Sequence, residues 1–325
     1  MIKLKDKLRE IKEFYLVNHN KERNKLLAVF DLEKIHAGYD IVGFLHLLVN
    51  FLIKKKIKSA DLCIVGGKNK GFKKHQIKTE SFDYANSQLY NSIIPSITMC
   101  KKVDNFFYLK KRNEFYQIKK NYKFFFPEGF YLGMLKNEHN KLIKYKNFSK
   151  KKNNWLNIPS LYLKKVKNYK LEKNNKPLVT ITLRESFKNS WKNSNLKVWK
   201  SILKVLNKKF TPIIIRDFDK VKKKDFFYKY EIVPEASYNL FIRAAIYQYS
   251  KYNLFTNGGQ CEIMRFNSKT RYTSFLKNKD KLLSKKNNSK KYKGFYEDIN
   301  NKVFDLKNEL KDENIKEIKK AINKI

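Results

Sequence analysis

Gly258 and Gly259 stand side by side in a chain that holds only ten glycines among 325 residues. They follow the apolar Leu254–Phe255 and open a stretch, Gln260 to Phe266, that reads as a helix. Paired glycines make a sharp turn and let a backbone come close to another group. Between a strand and a helix they leave unpaired amides, those of Gly258, Gly259 and Gln260, aimed at whatever lies in front. A phosphate satisfies such amides. Asn257 starts the turn, and one or both glycines are expected at positive φ. An ordinary strand–turn–helix joint would use the same residues. Two more strand ends carry charge: Arg184 and Glu185 close VTITLRE, and Arg216 and Asp217 close IIIRD. An arginine at one strand end and a Gly-Gly turn at another would hold a diphosphate by charge and by amides. Glu262, three residues past Gly259, falls in the first helical turn. There it could accept hydrogen bonds from ribose hydroxyls, or simply complement the helix dipole. No metal and no cofactor are expected, since arginine and amides can stabilise a leaving diphosphate without an ion.

The elements that must position these groups alternate. KLLAVFDLE (25–33) is a strand, GYDIVGFLHLLVNFLIKKK (38–56) a helix and SADLCIVGG (59–67) a second strand. That order makes a parallel sheet with a right-handed crossover. YANSQLYNSIIPS (84–96) reads as a helix stopped near Pro95, and strands with turns follow to Phe130. Lys and Asn dominate 133–176, which reads as a linker. The alternation restarts at Pro177: strand PLVTITLRE, helix 193–210, strand TPIIIRDFD, helix 238–250, strand YNLFTN (252–257) and strand TRYTSFL (270–276). The fold class is therefore α/β, with a first Rossmann-like domain over 1–150 and a second over 151–311. A terminal helix over 312–325 is expected to pack back on the first.

A formal charge of +43 points to nucleic acid or anionic membrane. The excess is 65 Lys against 8 Arg, spread along the chain beside abundant Asn, Ile, Phe and Tyr. An A/T-rich codon bias explains that pattern, and arginine, the bidentate phosphate reader, is not enriched. Nucleic acid is not the expected partner. Peripheral, salt-sensitive association with anionic lipid is the most that the charge supports. Cys63, Cys100 and Cys261 form no CxxC pair, so neither zinc nor a disulfide framework is expected, and a reducing cytoplasm fits. Ile41–Ile53, broken by His46 and Asn50, is too short to span a bilayer and reads as a buried helix with a satisfied core histidine.

TNGGQCE resembles the Asp-Ser-Gly-Gly turn of UDP-sugar 2-epimerases, which carries Glu three residues after its second Gly. It is also similar to the Asp-Ser/Thr-Gly-Pro turn of heptosyltransferases. Both families belong to the GT-B superfamily, two Rossmann-like domains facing across a cleft. VTITLRESF, NSNLKVW and TNGGQCEIMRFNSKTRYTSF further resemble GT-B-like bacterial proteins of surface-polysaccharide clusters. Thr256 stands where the families have an acid, and Gly259 where heptosyltransferases have Pro. The resemblance implies a glycosyltransferase that moves a sugar from a nucleotide-diphosphate sugar to a glycan or lipid-linked acceptor. It places the turn at the interdomain cleft and the acceptor on the first domain. A sugar-nucleotide epimerase and a non-catalytic binding protein of the same fold are the alternatives. Heptosyltransferases carry a Gly-Asp at the start of the first helix, whose Asp is the general base. In HAGYDIV, Asp40 lies one residue late, after an inserted Tyr39. Its other role would be that of a helix-dipole partner.

Overall fold

A computed structural model describes residues 25–134, 155–169, 171, 175–186, 193–256, 258–265, 267–276, 310–323 and 325. By packing, the chain divides into two units. The first comprises Met1–Ala37, Phe51–Ala85 and Lys102–Lys144, and the second Gly38–Asn50, Asn86–Lys101 and Tyr145–Ile325. Each unit is built on a parallel sheet.

The first sheet has the order β3-β2-β1-β4, with β1 at Leu26–Asp31, β2 at Ala60–Val65, β3 at Val103–Leu109 and β4 at Phe124–Phe126. All its pairings are parallel. β1 and β2 are buried throughout, which is why both read as unbroken apolar runs instead of alternating. One side of the sheet carries Leu27, Val29, Cys63 and Val65 against Phe115, Ile118, Phe130 and Met134. Helix α1, Asp40–Lys54, follows β1. On it, His46 is buried and bonds the Asn50 side chain at 3.0 Å. Burial lowers its pKa to about 4, so the ring is neutral at physiological pH. After α2 (Lys74–Glu80) the chain runs through α3 (Phe82–Gln88), a π-helical turn (Leu89–Ile93) and α4 (Ile94–Thr98). Pro95 was expected to stop this helix. Instead it sits in the first turn of α4, where its missing N–H costs little. A short helix, α5 (Glu114–Lys119), joins β3 to β4.

The second sheet has the order β10-β9-β8-β5-β6-β7. Its strands are β5 (Leu178–Thr182), β6 (Thr211–Ile215), β7 (Glu231–Ile232), β8 (Tyr252–Thr256), β9 (Tyr272–Leu276) and β10 (Leu310–Asp312). Every pairing is parallel. Counted within this sheet from β5, the order read from the β7 edge is 3-2-1-4-5-6. This is the doubly wound nucleotide-binding order, whose direction reverses between its first and fourth strands, here β5 and β8. Helices α6 (Ser160–Asn168), α7 (Leu196–Lys209), α8 (Glu235–Tyr238) and α9 (Leu240–Tyr249) precede or connect the strands. Trp199, Ile202, Leu203 and Leu206 of α7, spaced three and four apart, bury one stripe against Val179, Ile181 and Ile214.

After β8 come a 3-10 turn, Gly259–Cys261, and α10, Glu262–Arg265, shorter than the helix expected to Phe266. The terminal helix forms as α11, Ile315–Ile322, capped by the Asn314 side chain on the Glu317 amide at 2.9 Å. Its expected packing on the first domain is corrected. Ile318, Ala321 and Ile322 join the core of the second unit beside Trp199 and Phe275. Among the described residues no helix is long and apolar enough to cross a membrane.

Candidate functional site

Three strand ends converge where the second sheet reverses direction. β5 and β8 are hydrogen-bonded neighbours, and β6 flanks β5 on the other side. Parallel strands put their carboxyl ends on one edge, so Arg184, Asp217 and Gly258 all lie there.

Arg184 packs on Gly258. A Cβ added to Gly258 would stand 2.8 Å from Arg184 Nη1 and 3.7 Å from its Cδ. The expectation of positive φ fails: Gly258 has φ −171° and ψ 162°, extended backbone that any residue adopts. Gly259 is likewise outside the positive-φ glycines. Backbone conformation does not call for glycine here, and the one close neighbour of an added Cβ is the mobile end of the Arg184 side chain. Arg184 is held through its backbone, its N–H donating to Ser194 Oγ at 2.9 Å and its carbonyl accepting from the Ser194 amide at 2.8 Å. Its buried Nε has no hydrogen-bond partner among the described residues. The Arg184 residue as a whole is half-buried. The amides of Gly258 and Gly259 likewise have no acceptor among the described residues.

The second glycine is occupied differently. A Cβ on Gly259 would meet the Tyr39 ring at 3.1 and 3.4 Å and its Cβ at 3.2 Å. The Tyr39 hydroxyl accepts from Arg243 Nη1 at 3.1 Å. Arg243, buried on α9, also donates to the carbonyls of Ala236 and Ser237. Tyr39, which reads as a mere insertion before Asp40, is thus the residue that covers the turn. Close packing explains Gly259, while Gly258 meets only the end of the arginine. Asp40 opens α1 and is exposed, one residue from that contact. Glu262 is half-buried at the start of α10. Asn257 lies outside the described residues, and of Gln260 only its backbone place in the 3-10 turn is described.

The charged end of β6 splits into two roles. Arg216 is wholly buried and fully used within the protein. It donates to Glu185 Oε2 at 2.7 Å and to both oxygens of Asp225 at 3.0 Å. Such a network would cost stability if one partner were removed, so it is structural. Asp217 faces the site. Its Oδ2 accepts from the Glu185 amide at 2.6 Å, and Oδ1 has no donor within reach among the described residues. Burial pushes its carboxyl up, while the Glu185 amide, Arg243 and Arg184 pull it down without cancelling the rise. Asp217-Phe218-Asp219 has Asp-x-Asp spacing, but Asp219 pairs with Lys220 at 2.9 Å. Among the described residues no group of His, Cys, Asp and Glu could hold a metal ion.

Thr256, standing where the resembled families have an acid, is buried. Its hydroxyl donates to Glu313 Oε1 at 2.7 Å and meets Ser194 Oγ at 2.6 Å. Glu313 also accepts from Trp199 Nε1. A carboxylate is therefore present behind the turn, supplied from the segment between β10 and α11. Nothing local in the sequence signals it.

No family model matches the chain, and no curated protein matches it in sequence. Solved structures resemble it in outline. A family 9 glycosyl transferase from Veillonella parvula is 9% identical over 80% of this chain and 82% of its own, with a TM-score of 0.44. The ADP-heptose lipopolysaccharide heptosyltransferase II of E. coli is 8% identical over 78% and 85%, with a TM-score of 0.48. A second E. coli heptosyltransferase, solved with ADP, is 10% identical over 77% and 87%, with a TM-score of 0.37.

Proposed function

We propose that the chain is a glycosyltransferase that takes a sugar from a nucleotide-diphosphate donor and passes it to a glycan or lipid-linked acceptor. One observation carries the reading. Arg184 and the Gly258–Gly259 turn flank the reversal point of a 3-2-1-4-5-6 sheet, with the guanidinium laid over Gly258. Ligands of such sheets bind outside the strand ends at that point. A diphosphate there would receive charge from Arg184 and hydrogen bonds from the Gly258 and Gly259 amides.

In the reaction, the acceptor hydroxyl gives its proton to Asp40 and its oxygen bonds the anomeric carbon. The bond from that carbon to the diphosphate breaks, and its electron pair leaves on the diphosphate. Arg184 and the turn amides would stabilise that growing charge, a role that needs no metal. In this scheme residues 1–150 serve the acceptor and residues 151–311 the donor, with Asn257, Gln260 and Glu262 at the donor's edge. The lysine excess would supply peripheral, salt-sensitive contact with anionic lipid at the inner face of a cytoplasmic membrane.

Thermal melting with UDP, GDP, ADP and CMP tests the reading. At least one should raise Tm, and Arg184→Ala should remove the shift. If none stabilises the protein at millimolar concentration, the donor site does not exist and a non-catalytic binding role replaces it.

A further inference from the structure

Behind the glycine turn lies a buried carboxylate that the transfer scheme does not use. Glu313 sits in the segment between β10 and α11 and is 5% exposed. Thr256 and Trp199, both wholly buried, stand against it. A charged group taken out of water is costly unless its oxygens are hydrogen-bonded. Here Oε1 accepts from two donors, Thr256 Oγ1 at 2.7 Å and Trp199 Nε1.

The bonds that lead away from it have a fixed direction. A carboxylate oxygen only accepts, so the single proton of the Thr256 hydroxyl goes to Glu313. Thr256 Oγ1 then accepts from the Ser194 hydroxyl, 2.6 Å away. Ser194 Oγ in turn accepts from the Arg184 amide at 2.9 Å. Three hydrogen bonds therefore run in one sense from the Arg184 backbone to the Glu313 carboxylate, and bonds so aligned strengthen one another. The Ser194 amide secures the far end by donating to the Arg184 carbonyl at 2.8 Å. The chain bridges a gap that strand pairing leaves. The register between β5 and β8 ends at Thr182 and Phe255, short of both Arg184 and Gly258. Past that point the Ser194 and Thr256 side chains take over from the ladder in joining the two strand ends.

We infer that Glu313 is a positioning residue for the diphosphate site: through Thr256 and Ser194 it fixes the backbone of Arg184 relative to the glycine turn, so that guanidinium and turn amides meet one anion together. This rests on the diphosphate reading and assigns what sets its geometry. By Coulomb's law alone, a negative charge behind the turn opposes an anion in front of it, so whatever Glu313 adds to binding must come through position. Its second tie, to Trp199, fastens the same carboxylate to the core of the unit without entering the chain to Arg184.

Calorimetric titration of the full chain with inorganic pyrophosphate tests this, with the melting temperature taken for every variant. Glu313→Leu should weaken pyrophosphate about 3- to 12-fold, the scale of one hydrogen bond, although it removes a negative charge. Glu313→Gln keeps an oxygen for Thr256 and should recover the affinity of the unmodified protein. Thr256→Val cuts the chain with the carboxylate still in place and should weaken binding to a similar degree, and Thr256→Ser should restore it. Ser194→Ala combined with Thr256→Val should bind no more weakly than Ser194→Ala alone, since both cut one chain. Trp199→Phe removes the other donor and should lower the melting temperature while pyrophosphate affinity holds. The inference is refuted if Glu313→Leu or Thr256→Val binds pyrophosphate as tightly as the unmodified protein, or more tightly, however early it melts. It is refuted too if the Ser194 and Thr256 losses add, or if Trp199→Phe weakens binding as much as Thr256→Val. Should Glu313→Leu not fold, the Thr256→Val and Thr256→Ser pair decides. In each case pyrophosphate binding that Arg184→Ala abolishes leaves the diphosphate reading standing. If the unmodified protein binds neither pyrophosphate nor any of ADP, GDP, UDP and CDP, both readings fall together.

Discussion

Gly258→Ala isolates what the guanidinium of Arg184 does. The new methyl carbon would lie 2.8 Å from Nη1. An ordinary contact needs about 3.5 Å, so the guanidinium must retreat by about 0.7 Å. Taken along a charge-assisted bond of about 2.8 Å, that stretches it to about 3.5 Å, beyond useful geometry. A hydrogen bond to a charged group contributes about 1.5–3 kcal/mol. Diphosphate affinity should therefore fall about 10- to 150-fold, as it should in Arg184→Ala. The backbone pays nothing, because φ −171° and ψ 162° suit alanine. Melting temperature should hold or rise slightly, since alanine restricts the unfolded chain by about 0.4–1 kcal/mol. A double-mutant cycle read by pyrophosphate titration decides the matter. If both substitutions act through one guanidinium, the double variant binds no more weakly than Arg184→Ala alone. Additive losses, or a Gly258→Ala protein that melts early, would refute the reasoning.

Gly259→Val should act on packing, forcing Tyr39 aside at about 1–3 kcal/mol and lowering Tm, and Tyr39→Ala in the same chain should restore most of that loss. Asp40→Asn should lower the transfer rate about 10²- to 10⁴-fold while pyrophosphate affinity holds, and equal loss of both would remove Asp40 as the base. His46, with its pKa lowered to about 4, binds its proton more readily in the unfolded chain, where the value is near 6.5. Stability should then rise with pH between about 4 and 6.5, by up to about 1.4 kcal/mol per unit, and His46→Gln should flatten that slope in urea titrations.

The parallel strands were legible because burial on both faces leaves an unbroken apolar run, as in LLAVFD and TPIII. β7 and β10, two and three residues long, carry no such run and were invisible. They matter all the same, since without them the reversal between β5 and β8 cannot be read as the doubly wound order. The terminal helix was legible from its caps and periodicity, but its partner was not. An apolar stripe says that a face is buried and is silent on what buries it.

Arg184 and Gly258 were legible as a pair because a strand end is a position the sequence reveals, and parallel strands gather their ends on one edge. Which charge at those ends is enclosed within the protein is a different question, and the sequence does not answer it. Arg184 and Arg216 end adjacent strands and look alike in sequence. Arg216 is enclosed by Glu185 and Asp225, one of them nine residues on, whereas the Nε of Arg184 finds no partner. Tyr39 shows the complementary failure. Read along the chain, it only displaces Asp40 by one position. Through space it lies on Gly259 and accepts from Arg243, contacts that span about two hundred residues. The same residue that makes Asp40 depart from the family's spacing thus fastens the start of α1 to the glycine turn. An insertion that merely disrupted the helix start would have no reason to find a buried arginine. The contact that the chain hides is therefore one of position: Tyr39, and not its neighbour Asp40, is what joins the helix start to the turn.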